Sequence, residues 1–435
     1  MKVFKTSELL SQSKERTHII LLGILSVAAA TLFVFFRGFS EWNFGDAFDY
    51  LSAGFSIANG EPYPRQGSLP FFRPPGYPAL IALLSFISES KIVIILKIFN
   101  IGLHAGTTLI IYSLTCKIIN PKTGLFAAIF YALNPFSLHQ ATSISTETLT
   151  AFLFVSFAYL MTFQLGVLKS ILLGCVMLFL ISVRPEYLFV VIPIYVFLSF
   201  SKKFLKGNRI TSAVILIIIF TSLSAWGVSN QKATGKFILL TDAVNYHLWL
   251  GSLDIAIQNY SISFSKERDF NQNKWNSLTS RIDEQKRSWG DRYEQASIGD
   301  RSDLWWSAFR SSVEEQGVFN YIKLLLFKGL IFWRPYLNPP SYDVFSVLLS
   351  LPILIFLTLV FVFGIKNFFR KGTLIIPVWI YCFGLLVITG VHMLQWPDLR
   401  YRIPLFLPIC AIMLGGLVDK RVNSKKNTSV RRGGG

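Results

Sequence analysis

The chain has 435 residues, of which 52% are hydrophobic and 15% charged, and it carries a formal net charge of +18. Soluble domains carry roughly 25% charged residues, and the mean hydropathy here is +0.49, so a soluble globular protein is excluded in favour of a polytopic membrane protein. The basic excess does not indicate a nucleic-acid partner, because it gathers in short loops between apolar runs, where lysine and arginine act as topology signals.

The N-terminus places Lys2, Lys5, Lys14 and Arg16 before an apolar run with no small-residue cleavage site. This predicts a retained first span over 18–36 rather than a removed signal peptide. Further spans are predicted over 91–118, 123–139, 147–165, 168–183, 187–201, 210–228, 341–365, 372–391 and 402–418. The apolar stretches 77–88 and 319–333 are too short or too charged for spans and suit surface or re-entrant helices. The expected fold class is therefore an all-α polytopic integral membrane protein of about ten transmembrane helices.

Ten spans put both termini on one side. That side receives the basic N-terminus, Lys117 and Lys122, Lys169, the run Lys202, Lys203, Lys206 and Arg209, the cluster Lys366, Arg370 and Lys371, and the tail from Lys420 to Arg432. The positive-inside rule makes it cytoplasmic. Segments 37–90 and 229–340 then face outward. The chain divides into an N-terminal transmembrane module, 1–228, a large Trp-rich outer loop or cap, 229–340, C-terminal helices, 341–422, and a basic tail, 423–435, expected to be disordered.

The acids collect in the first outer segment. Asp46 and Asp49 lie three residues apart in Gly45-Asp46-Ala47-Phe48-Asp49-Tyr50, followed by Gly60-Glu61-Pro62-Tyr63 and Phe72-Arg73-Pro74-Pro75-Gly76-Tyr77. A carboxylate at a membrane face can act as general base on an acceptor arriving from water. Equally, Asp46 precedes a helical-looking run, 47–58, and can be its N-cap. Asp49 would share its helix face as a solvated or supporting acid.

Four arginines, Arg73, Arg184, Arg400 and Arg402, stand at predicted outer ends of spans. Their planar forks suit a phosphate, although arginines there also snorkel to headgroups. Lys97 and His104 lie inside a predicted span, where an ionisable residue is a functional candidate by default; Lys97 can also snorkel, and His104 suits an interhelical hydrogen bond. Glu147 opens a span after an outer loop, either to position a sugar or as a first-turn acid favoured by the helix dipole. Tyr77, like Tyr50 and Tyr63, can stack on a sugar or anchor at the interface. The four cysteines show no zinc-like spacing, and neither an H-E-x-x-H motif nor a P-loop is present, so the sequence specifies no metal and no cofactor.

These motifs occur in an order that resembles the GT-C superfold glycosyltransferases, in particular bacterial relatives of the dolichyl-phosphate-mannose protein mannosyltransferases and the lipid A aminoarabinose transferases. The ordered set is Asp46, Tyr50, Ala53, Gly60, Tyr63 and Arg73-Pro74-Pro75, then Asn134-Pro135, Glu147, Arg184-Pro185, Asn245-x-x-x-Trp249-x-Gly251 and Arg400-Tyr401-Arg402-x-Pro404. The chain departs from the pattern at Ala47, where the mannosyltransferases often have Glu. It departs again at Arg73 and Gly76, where the aminoarabinose enzymes usually have Lys and Leu.

The resemblance implies transfer of a sugar from a polyprenyl-phosphate carrier to an acceptor hydroxyl outside the cytoplasm, with inversion and with Asp46 as base. One or more of Arg73, Lys97, Arg184, Arg400 and Arg402 would hold the carrier phosphate, and Asp49, Tyr77 and Glu147 would line the substrate cleft. The acceptor would be a glycolipid, a polysaccharide or a protein. The expected location is a bacterial inner membrane, with the site extracytoplasmic. The alternative is a transporter or lipid flippase of envelope glycolipids. A transporter places its ionisable groups near the bilayer midplane, whereas here they collect in outer segments.

Overall fold

The computed structural model describes residues 2–40, 46–61, 63, 72–163, 166–199, 209–253, 268–335, 344–370 and 376–432, and every element among them is helical. The helix Ile92–Ile118 is the axis of the N-terminal half. It packs against Lys2–Arg37, Pro121–Ala132 and Glu147–Leu160. Its apolar sequence is interrupted by Lys97, Asn100, His104, Thr107 and Thr108, all buried, and several of these tie it to its neighbours. The hydroxyls of Ser26 and Thr108 pair at 3.1 Å. His104 Nε2 donates to the Ala132 carbonyl at 3.2 Å, and its ring stacks on Tyr131, the interhelical role expected of it. Asn100 Nδ2 donates to the Ser143 carbonyl at 2.9 Å, which fixes the bend just before Glu147.

Four helices are long and apolar enough to cross a membrane: Ser13–Arg37, Ile92–Ile118, Ala213–Thr234 and Ile376–Leu394. A fifth is added if Pro135–Thr142 and Glu147–Leu160, bent by 118°, count as one span. The ten spans expected from hydropathy are not matched by ten such helices among the described residues. The causes are local. The expected span 123–139 is cut at Asn134, whose Oδ1 accepts from the Phe136 amide at 3.0 Å while Pro135 opens a new helix. Asparagine caps and proline starts are stop-and-start signals that average hydropathy does not register. The remaining apolar helices, Gly76–Ser85, Val167–Val183, Pro185–Ser199, Ser350–Lys366 and Ile403–Val418, have 10–17 residues each. The stretch 77–88 thus forms a short helix, as expected, and 319–333 lies in the helix Val318–Phe332. At the other end, the helix that begins at Ile403 continues to Arg432, into the stretch expected to be disordered.

Two features position the site. Gly76 opens the helix Gly76–Ser85, and a Cβ there would lie 2.6–2.8 Å from the backbone of Ser182 and Val183. Only glycine lets this turn press on the end of the helix Val167–Val183, and it seats the Arg73-Pro74-Pro75 turn close to Arg184. The second feature is a separate small core between residues 243 and 309. The helices Ala243–Ser252 and Ile298–Gln316 bury Tyr246, Trp249, Leu304 and Trp305 with Tyr293. The Trp249 and Trp305 rings lie 4.7 Å apart.

Candidate functional site: a carboxylate–arginine network

Asp46 stands at the start of the helix Ala47–Ala58 but makes no side-chain capping bond. Its carboxylate turns to two cations instead. Arg73 Nη2 lies 3.0 Å from Oδ1 and Arg400 Nη2 lies 3.1 Å from Oδ2. One turn on, Asp49 Oδ2 accepts from the same Arg73 Nη2 at 3.1 Å. The Arg73 guanidinium also lies over the Tyr50 ring at 4.7 Å. Burial works to raise the Asp46 pKa, but the Arg400 and Arg73 guanidiniums outweigh it and hold the carboxyl down at about 2. Asp46 is therefore ionised, a charge-assisted acceptor shared by two forks.

A second pair lies deeper. Glu147 opens the helix Glu147–Leu160, and its Oε1 accepts from Arg184 Nη2 at 2.6 Å. Arg184 also reaches Glu186 at 3.3 Å and the Thr146 hydroxyl at 2.8 Å. Arg400 joins the two pairs, with its Nε 4.0 Å from Glu147 Oε1. Tyr401 is the platform between them. Arg184 and Arg400 lie over its ring at 4.8 and 4.7 Å, and Arg400 Nη2 donates to its hydroxyl at 2.8 Å.

Exposure decides which groups a ligand can meet. The side chains of Asp46 and Arg400 are 31% and 30% exposed, whereas Glu147 is 5% and Arg184 12% exposed. The Asp46–Arg400 pair forms the open face, and the Glu147–Arg184 pair the floor.

Six of the residues singled out from sequence, Asp46, Asp49, Arg73, Glu147, Arg184 and Arg400, thus meet in one network. Three others are placed differently among the described residues. Lys97 is buried and donates to the Gly38 carbonyl. Arg402 is buried too, its Nη1 and Nη2 donating to the carbonyls of Phe332 and Arg334 at 2.7 and 2.9 Å. It ties two turns of backbone together beside the site. Tyr77 packs edge-on against Tyr50 at 5.0 Å, and its hydroxyl has no hydrogen-bond partner among the described residues.

Sequence reasoning passed over Tyr401, although it lies inside a quoted motif between two arginines. It also passed over His392, whose ring stacks on Tyr401 at 4.1 Å, and Asp398, whose Oδ1 accepts from the Arg400 amide at 3.0 Å and caps the turn that presents Arg400. His247, which carries no motif in the sequence, also feels the field of Arg73, Asp46 and Arg400. Burial first, and then these arginines, lower its pKa to about 4. Among the described residues no group of three His, Cys, Asp or Glu side chains is placed to hold a metal ion.

The family model of the GPI transamidase subunit PIG-U matches residues 14–249, more than half of the chain. The chain belongs to the PIG-U family. The match contains Asp46, Arg73, Glu147 and Arg184, while Arg400 lies beyond it. Among curated proteins none matches the chain significantly. Solved structures similar to it include the archaeal oligosaccharyltransferase AglB from Archaeoglobus fulgidus in complex with an inhibitory peptide and a dolichol-phosphate. That structure is 13% identical with a TM-score of 0.49, covering 96% of this chain and 52% of its own. The apo form of the Archaeoglobus fulgidus oligosaccharyltransferase is 14% identical with a TM-score of 0.49, covering 95% and 52%. The same enzyme tethered to an acceptor peptide containing the NVT sequon is 13% identical with a TM-score of 0.46, covering 93% and 50%. The chain spans about half the length of these structures. The resemblance to GT-C membrane proteins carried by the ordered motifs stands beside this membership.

Proposed function

We propose that the chain is a membrane glycosyltransferase that takes a sugar from a polyprenyl-phosphate carrier and passes it to a hydroxyl on the extracytoplasmic side. The observation that carries this reading is the open Asp46 carboxylate held between Arg73 and Arg400. An inverting transfer needs a base for the acceptor and cations for the departing phosphate within one small space. The acceptor oxygen would form its bond to the anomeric carbon as the bond from that carbon to the phosphate oxygen breaks. The hydroxyl proton would pass to Asp46, and the electron pair would leave with the phosphate, toward Arg400 and Arg73. Guanidiniums grip phosphate through two parallel bonds.

Asp46 held near 2 is a poor base. A carrier phosphate bound at Arg400 would draw that cation from Asp46 and raise its proton affinity as the donor arrives. The base would thus be ready only with the donor in place. Glu147 and Arg184 would form the floor that keeps Arg400 charged and oriented.

A second reading follows from the same pairing. Every acid in the network already holds an arginine, so the site can be a binding cradle for a lipid-borne phosphate within a larger assembly, as the family description of a transamidase subunit suggests. Transfer from a polyprenyl-phosphate sugar by the purified chain separates the two. Turnover that Arg400→Ala lowers at least ~10-fold, with partial rescue by Arg400→Lys, supports the enzyme. Saturable binding of the carrier without any turnover supports the cradle.

A further inference from the structure

The helix Ala243–Ser252 is tied to both arginine-bearing segments. At its start, Thr241 and Asp242 grip the backbone of Phe72 from both sides. The Phe72 amide donates to Asp242 Oδ1 at 2.9 Å, and the Thr241 hydroxyl donates to the Phe72 carbonyl at 2.6 Å. The next carbonyl, that of Arg73, accepts from the Tyr63 hydroxyl. The peptide that carries Arg73 is thus held at three points, two of them by residues some 170 positions away, and Asp242 is buried.

The far end of the helix meets the other segment. A Cβ at Gly251 would overlap the carbonyl oxygens of Leu394 and Gln395, so glycine is what lets the backbones touch. Lys328 Nζ donates to the Gly251 carbonyl at 2.8 Å beside the same contact. From Gln395 the chain runs through Asp398 directly to Arg400. Between the two ends, Asn245 Nδ2 donates to the Ser302 carbonyl at 3.1 Å and Trp249 packs on Trp305, which holds the helix rigidly to its own small core.

We infer that the helix Ala243–Ser252 is a strut that sets the spacing between Arg73 and Arg400, with Asp242 as a positioning residue that acts through the Phe72–Arg73 backbone. This rests on the reading that these two arginines receive the carrier phosphate. Both guanidiniums reach the one Asp46 carboxylate, a span close to that of the oxygens of a single phosphate. Displacement of a binding group by about 1 Å can cost ~10²-fold in rate, which gives the strut its function.

The test uses the full chain in lipid nanodiscs, with native cysteines replaced and spin labels at Asn59→Cys and Val244→Cys, both exposed positions. Undecaprenyl phosphate is the binding probe. Asp242→Ala is expected to broaden the inter-label distance distribution and weaken binding by ~10-fold, and Asp242→Asn, which keeps an acceptor for the Phe72 amide, to restore most of both. In an Arg73→Ala background, Asp242→Ala should cause no further loss, because coupled groups are not additive. An unchanged distance distribution, or losses that multiply in the double variant, overturns the strut. A broadened distribution with binding unaffected by Asp242→Ala and by Arg73→Ala alike leaves the strut standing and overturns the phosphate reading.

Discussion

Asp46 shows how one side chain separates two mechanisms. Because it makes no capping bond, Asp46→Asn leaves the helix start intact and removes only the charge. Asparagine accepts no proton at neutral pH, so transfer should fall by at least ~10²-fold. The same change releases Arg73 and Arg400 from their shared partner, so undecaprenyl phosphate should bind more tightly even as turnover is lost. Equal losses in binding and turnover would mean that Asp46 orders the site rather than serving as its base. Asp242 carries a different signature. Burial pushes its carboxyl up to about 7, against roughly 3.9 in an unfolded chain. The folded protein therefore keeps a proton that the unfolded chain releases between about pH 4 and 7. By linkage its stability falls as pH rises through that window. Thermal unfolding in detergent should show a shallower decline for Asp242→Asn from pH 5 to 8, and a decline as steep as the parent's would exclude Asp242 as its source.

At the scale of elements, the short helices around the network depend on close approach rather than on length. Gly76 is the tightest case, since any side chain there meets the backbone of Ser182 and Val183. Gly76→Ala should cost about 1–3 kcal/mol through overpacking and part Arg73 from the Arg184 floor. A denaturation midpoint equal to the parent's would show that the turn has slack the geometry does not reveal. The sequence departs here from the Leu usual in the aminoarabinose enzymes, and the structure supplies a reason in the adjoining helix end. This also marks what was legible. The order of motifs was enough to bring Asp46, Asp49, Arg73, Glu147, Arg184 and Arg400 together, because each is a charged residue at the edge of an apolar run with few places to go. Arg402 carried the same signal as Arg400 two residues away, and only the turn at Leu399–Tyr401 sends one outward and the other into backbone carbonyls. Nothing in composition marked Thr241 or Asp242, whose partners lie some 170 residues away in the chain. The break in the expected span 123–139 went unseen for a related reason. Hydropathy measures how apolar a run is, not where an Asn-Pro pair breaks it.

Across the whole molecule, two charged layers fix the arrangement of the short helices. One layer holds Asp46, Arg73, Glu147, Arg184 and Arg400 in mutual contact, so five distant points of the chain lie at one level. The other holds Lys117, which donates to the Thr162 carbonyl at 2.9 Å, and Lys169, with both ammonium groups over the Phe163 ring. The helix Glu147–Leu160 runs from the first layer to the second, and Val167–Val183 runs back. At 1.5 Å per residue these 14- and 17-residue helices cover about 21 and 26 Å. Hydrocarbon cores are about 30 Å thick, so as spans each would be slightly short alone, a gap that thinning of the bilayer or snorkelling of the flanking lysines and arginines would close at modest cost. The positive-inside rule predicts that the lysine layer is cytoplasmic and the carboxylate–arginine layer external. Cysteines placed one at a time at Asn59 and at Lys122 in a cysteine-free chain test this with a membrane-impermeant maleimide on intact cells. Asn59→Cys should label without permeabilisation and Lys122→Cys only after it. Labelling of both from the same side would mean that the short helices turn back within the bilayer, and the network would then not lie at an outer surface open to a water-borne acceptor.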